Sequence, residues 1–144
     1  MKQLRAISIG VIIWIIGVSI YTISFYIPIL EDPEFQANIL LSLGILPVVW
    51  LGAKLYYRKK STIKGYWLGV IFFLTATVLD ILITVPFLIV PNGGSYYSFF
   101  AAAGFWLIGV EFIAMSTTYW YTKVFSKNKY CKLLIKVKSK KLNN

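Results

Sequence analysis

Asp80 and Glu111 are the residues best placed to do chemistry, because each lies in the middle of a long apolar run. Asp80 stands eleven residues before Pro91, and Glu111 eleven after Phe100. An acid at the centre of a membrane-spanning helix costs about 2.5–3.5 kcal/mol on insertion scales, so it normally faces a protein interior or a wet cavity. If the two runs are antiparallel helices rising about 1.5 Å per residue, both carboxyls lie about 16 Å from one boundary. No Lys or Arg lies at this depth on any of the apolar runs, so the usual neutralising partner is missing. Three outcomes remain: one or both acids are protonated, they share a proton, or they hold a cation from outside the chain.

Neighbouring residues give this pair a polar face. Thr77 and Thr84 lie three before and four after Asp80, on its side of a helix. Pro86 cannot donate to the carbonyl of Leu82, which leaves an acceptor free nearby. Gly104 and Thr118 lie seven residues either side of Glu111. In the first apolar run, Gly10, Trp14, Gly17, Tyr21 and Ser24 form a stripe of small and amphipathic residues, with Tyr21 and Ser24 as hydrogen-bond donors.

Other chemistries are poorly supplied. The chain has no histidine, the commonest metal ligand and general base, and its one cysteine, Cys131, excludes an internal disulfide or a CxxC pair. Neither a cofactor nor a metal is expected. Glu31, Asp32 and Glu34 read as a helix start, with Asp32 as N-cap and Pro33 at the first helical position, in preference to a Ca²⁺ site. An intramembrane isomerase with two carboxyls as acid and base stays open, but the balance favours a protein that is not an enzyme.

The elements that must position these residues are read from hydropathy. Of 144 residues, 58% are hydrophobic and 14% charged, against roughly 25% charged in soluble domains, and the mean hydropathy is +0.73. Apolar stretches cover about 5–27, 37–57, 66–90 and 100–123, each near the ~20 residues a helix needs to cross a ~30 Å hydrocarbon core. The expected fold is all-α: an integral membrane four-helix bundle over 1–125, followed by a basic tail, 126–144. Lys2 and Arg5 before the first run resemble a secretory signal, but the run is too long and lacks a cleavage site, so it reads as an uncleaved span ending near Pro28. Pro47 predicts a kink in the second span.

Charge gives the orientation. All fifteen Lys and Arg fall at the amino terminus, between Lys54 and Lys64, or from Lys123 onward, on one side of a four-span chain. The positive-inside rule puts that side, with both termini, in the cytoplasm. A formal charge of +10 so distributed fits topology and argues against nucleic acid. Tyr56, Tyr57, Tyr66, Trp67 and Tyr119–Tyr121 are expected as an inner aromatic belt, and Tyr26, Tyr96, Tyr97, Phe99 and Phe100 as an outer one. Pro91–Ser95 reads as a turn, and the Tyr96–Phe100 run as an interfacial anchor or a lid. In the tail, Tyr130, Leu133, Leu134 and Val137 follow helical spacing, although Leu133, Ile135 and Val137 also alternate with lysines. A helix there would lay Lys127, Lys129, Lys132, Lys136 and Lys138 on anionic lipid.

Three stretches carry a resemblance: Phe25–Glu34, Asp80–Phe87 with Gly93–Phe100, and Gly104–Leu107 with Glu111 after it. Over roughly residues 5–123 they resemble a family of small bacterial four-span membrane proteins of unknown function. That resemblance implies a bacterial inner-membrane location and no particular activity. The functional expectation is a small proton-linked transporter, or a binder of a cation or lipophilic ligand, built on paired carboxylates. The alternative is a structural or regulatory subunit. Expected partners are the bilayer, anionic lipid, and a second copy or another membrane protein.

Overall fold

A computed structural model describes the chain apart from residues 1, 28, 30, 60, 62, 143 and 144 and the side chains of residues 2, 128 and 136–142. Among the described residues every regular element is helical. The elements are α1 (Lys2–Tyr26), α2 (Pro33–Tyr57), α3 (Gly65–Leu79, widening into a π-helix over Asp80–Ile89 and closing in a 3-10 turn, Val90–Asn92), α4 (Tyr96–Ala101), α5 (Ala103–Tyr119, followed by a π-helical segment, Trp120–Phe125) and α6 (Ser126–Leu142).

Three of these helices are long and apolar enough to cross a membrane: Gln3–Tyr26, Pro33–Tyr57 and Gly65–Asn92. The fourth apolar stretch is diluted by Glu111 and by Ser116, Thr117 and Thr118, and α5 itself is 17 residues long.

The start of α2 follows from its sequence. Asp32 Oδ1 accepts from the backbone N–H groups of Glu34 (3.0 Å) and Phe35 (3.1 Å), with Pro33 at the first helical position. Donors that open a helix without intrahelical partners are thereby satisfied. Buried Gln36 ties this turn to the end of α1. Its Nε2 donates to the carbonyls of Ser24 (2.9 Å) and Ile27 (2.7 Å), and its Oε1 accepts from the N–H of Ile29 (2.9 Å). Through Pro47, α2 continues as one helix.

Each long helix packs against two others: α1 against α2 and α3, and α5 against the same two. Their core contains Ile13, Val49, Leu68, Phe72 and Phe112. Between α3 and α5 the backbones meet closely. A Cβ on Gly69 would lie 2.7 Å from Ile113 Cα and 2.8 Å from the Phe112 carbonyl oxygen. Arg5 donates to the Leu55 carbonyl and lies 5.8 Å from the centroid of the Tyr56 ring. One end of the array is therefore basic, with Arg5, Lys54, Arg58 and Lys64, and the opposite end is acidic, with Glu31, Asp32 and Glu34.

Two expectations change. Tyr56 is turned inward and not outward: it is 1% exposed and accepts from Ser61 Oγ, while Tyr57 donates to the Ile63 carbonyl, so these phenols fasten the α2–α3 connection. The fourth stretch, expected as one helix from 100, breaks at Ala102, which is extended (φ −64°, ψ 128°). A capping box of Ser95 and Ser98 starts α4 early, and Phe99, Phe100 and Phe105 cluster across the break. The three alanines there carry no turn signal. Beyond α5 the chain stays helical to Leu142, so helical spacing prevails over alternation in the tail.

Candidate functional site

Asp80 stands where α3 changes its winding. Pro86 has no N–H for the carbonyl four residues back, and its ring clashes with that carbonyl. A wider π-helix relieves the conflict, and such segments occur frequently at functional sites. Here it begins at Asp80, and the N–H of Val90 reaches the carbonyl of Val85. Tyr96, from α4, donates to the carbonyl of Ile81 (3.3 Å), an acceptor in this widened segment.

The carboxylate of Asp80 is held on one side only. Trp14 Nε1 donates to Oδ1 at 2.9 Å and Thr84 Oγ donates to the same oxygen at 2.6 Å. Oδ2 receives no hydrogen bond among the described residues, yet it is not one of the sealed polar atoms without a partner. One oxygen positions the group and the other is left for a donor from elsewhere.

Asp80 lines a cavity of about 440 Å³ bordered by α1, α2, α3, α4 and α5. Its volume falls in the range of small-molecule sites, roughly 300–1,000 Å³. The aromatic wall includes Trp14, Tyr21, Phe25, Phe73, Phe105 and Phe112. Polar groups are few, and Glu34, Asn38, Asn92 and Ser98 mark the acidic end. No Lys or Arg lines it among the described residues. Gly93 (φ 86°) supplies the left-handed turn that brings α4 back over this end, and Ser98, Phe99 and Ala102 contribute to the wall.

Glu111 lies elsewhere. It does not line the cavity. Ser42 Oγ, from α2, donates to its Oε1, and Oε2 is buried with no hydrogen-bond partner among the described residues. Gly109 and Phe112 belong to the face of α5 that meets Phe73 of α3, whereas Glu111 is turned to α2. The expected pairing of the two acids is therefore replaced by two separate carboxylates with different donors. Sequence spacing gave both a similar distance from a boundary but could not give the facing of α5.

The remaining polar residues divide. Thr84 reaches Asp80 and Tyr21 lines the cavity. Thr77 donates to the Phe73 carbonyl and exposed Thr118 to that of Ala114, so neither meets a carboxylate. Ser24 is buried, its hydroxyl has no hydrogen-bond partner among the described residues, and its carbonyl accepts from Gln36. Asp32 acts as the N-cap described above, and no metal-competent group of three or more His, Cys, Asp or Glu forms among the described residues. Lys127, Lys129 and Lys132 are exposed on α6, while the side chains of Lys136 and Lys138 lie outside the described residues. Sequence reasoning passed over Ser42, Asn38 and Gln36. Their only signal was being polar in, or at the edge of, an apolar run.

The sequence profile of a family described as a family of unknown function (DUF5367) matches residues 29–122. This is well over half of the chain, and the chain belongs to that family. The matched region runs from the approach to α2 through α5, so Asp80, Thr84, Ser42 and Glu111 fall inside it and Trp14 outside. No curated protein and no solved structure matches the chain.

Proposed function

We propose that this family member crosses a membrane four times as a helix bundle, with both termini cytoplasmic, and binds a hydrophobic organic cation against Asp80. The observation that carries the binding reading is the open Oδ2 in an aromatic cavity free of basic side chains. An unpaired acid in a low-dielectric wall attracts a cation strongly, and aromatic faces add cation–π attraction. Two features support four crossings. The ends of the array are segregated by charge, and α5 with its π-helical continuation reaches the ~20 residues required. The resemblance noted above favours the cytoplasmic membrane of a bacterium.

The test uses the full chain in nanodiscs and 3-phenylpropylammonium, with neutral 3-phenylpropanol for comparison. Calorimetry should show saturable binding of the ammonium, little of the alcohol, and loss of ammonium binding in Asp80→Asn. Equal binding of the ammonium by wild type and Asp80→Asn would sink the reading. Flux of the same ion into proteoliposomes distinguishes a carrier from a receptor.

A lipid partner is favoured by a different observation. On α6, Leu133, Leu134 and Ile135 are exposed and follow the exposed Lys127, Lys129 and Lys132. An amphipathic basic helix of this kind fits an anionic leaflet, each lysine adding about 1 kcal/mol near the surface. A polarity-sensitive dye on Cys131 should shift blue on adding phosphatidylglycerol to neutral nanodiscs. No shift, together with co-purification of a protein lost on deleting 126–144, would favour a subunit role instead.

A further inference from the structure

The geometry at Asp80 also narrows the class of cation, given the binding reading above. Oδ1 already takes two donors, the indole N–H of Trp14 and the hydroxyl of Thr84. Oδ2 takes none among the described residues. Oδ2 is thus left to accept from whatever occupies the cavity, and a charged N–H donor is a stronger partner for it than water. A charge-assisted N–H···O bond is roughly twice as strong as a neutral one. A quaternary ammonium has no N–H to give and depends on aromatic faces. Here the nearest aromatic ring does not offer one: Trp14 points its N–H at the carboxylate, so the electropositive edge of the indole is what meets the charge. Thr84 is consistent with this selection: its hydroxyl proton is committed to Asp80 Oδ1, so it offers the ligand an acceptor and not a competing donor.

We infer that the cavity selects protonated amines bearing at least one N–H and an apolar body, in preference to quaternary ammonium ions of the same shape. The amine sits on Asp80 Oδ2. The body lies against Phe73, Phe105 and Tyr21, within about 440 Å³.

A matched pair of ions tests this: dimethyl(3-phenylpropyl)ammonium, with one N–H, and trimethyl(3-phenylpropyl)ammonium, with none. Both are titrated calorimetrically into the full chain in nanodiscs at pH 7, with empty nanodiscs subtracted. The tertiary ion should bind at least about tenfold more tightly, the loss expected when a charged hydrogen bond is removed. In Asp80→Asn, shown by size exclusion and thermal unfolding to remain folded, the preference should disappear. Equal affinities in the wild type, or tighter binding of the quaternary ion, would overturn the selectivity while leaving the cation site standing. A preference that persists in Asp80→Asn would overturn the assignment to Asp80. If neither ion, nor an octyl version of either, binds the wild type, the cation site falls and the selectivity with it.

Discussion

Asp80 and Glu111 look equivalent along the chain, but their neighbours make them different groups. Asp80 is oriented by Trp14 and Thr84 and opens on the cavity, whereas Glu111 is engaged by Ser42 between α2 and α5. Glu111→Gln should therefore leave 3-phenylpropylammonium affinity within about twofold of wild type, a change below 0.6 kcal/mol. Loss of binding as severe as that in Asp80→Asn would show that the two acids work as one site. Ser42→Ala should cost stability rather than binding, by roughly 0.6–2 kcal/mol, the scale of a side-chain hydrogen bond between membrane helices. Unfolding in mixed micelles reads the first quantity and calorimetry the second. Trp14→Phe retains a large ring and removes the N–H. The carboxylate then keeps only Thr84, and ammonium affinity should fall by about three- to tenfold, less than the charge itself provides.

At the scale of elements, the joints decide where side chains arrive. Gln36 satisfies carbonyls that the end of α1 would otherwise leave open, and it does so while almost wholly buried. Gln36→Leu strands those groups, and unfolding should report a loss of about 1–3 kcal/mol. Asp32→Ala, which removes only the exposed cap of α2, should cost about 1 kcal/mol. Hydrogen exchange should place that second effect in the first turn of α2 alone. The α3–α5 contact makes a sharper contrast. Gly69→Ala drives a methyl into the backbone of Ile113, whereas a Cβ at Gly17 would lie 3.4 Å from Ile45 Cδ1, an ordinary contact. Gly69→Ala should destabilise by about 1–3 kcal/mol, as overpacking does, and Gly17→Ala by clearly less. Similar losses for the two would mean that α3 and α5 have room to separate.

For the whole molecule, charge and hydropathy act together. Arg5, Lys54, Arg58 and Lys64 collect at one end, and Glu31, Asp32 and Glu34 at the other, because the connections between helices are short and the helices alternate in direction. Cys131, the single cysteine, is exposed on α6 and offers a direct probe of orientation. In right-side-out cells a membrane-impermeant maleimide should label it only after permeabilisation. A Ser95→Cys change in a Cys131→Ser background should be labelled without it. The reverse pattern would invert the topology. Labelling of both positions in intact cells would place α6 and the α3–α4 turn on one side and exclude four crossings.

Much of this architecture was legible along the chain. Apolar runs of about 20 residues, the Asp32–Pro33 helix start and the clustering of lysines are local signals, and local rules of backbone pairing and solvation read them directly. The two central acids stood out for the same reason: a charge in an apolar run conflicts with its surroundings wherever the run is placed. What tertiary structure decided was facing. A rotation of α5 about its axis determines whether Glu111 meets Asp80 or Ser42, and apolar residues surround that helix too evenly for periodicity to fix the rotation. The break at Ala102 and the buried state of Tyr56 were hidden likewise, since both depend on which surfaces meet: Phe99, Phe100 and Phe105 in one case, Arg5 and Ser61 in the other. The sequence by itself determined that the chain carries unpaired carboxylates in apolar helices. Only the packing of those helices decided that one of them, Asp80, lines a cavity while both of its hydrogen bonds fall on a single oxygen.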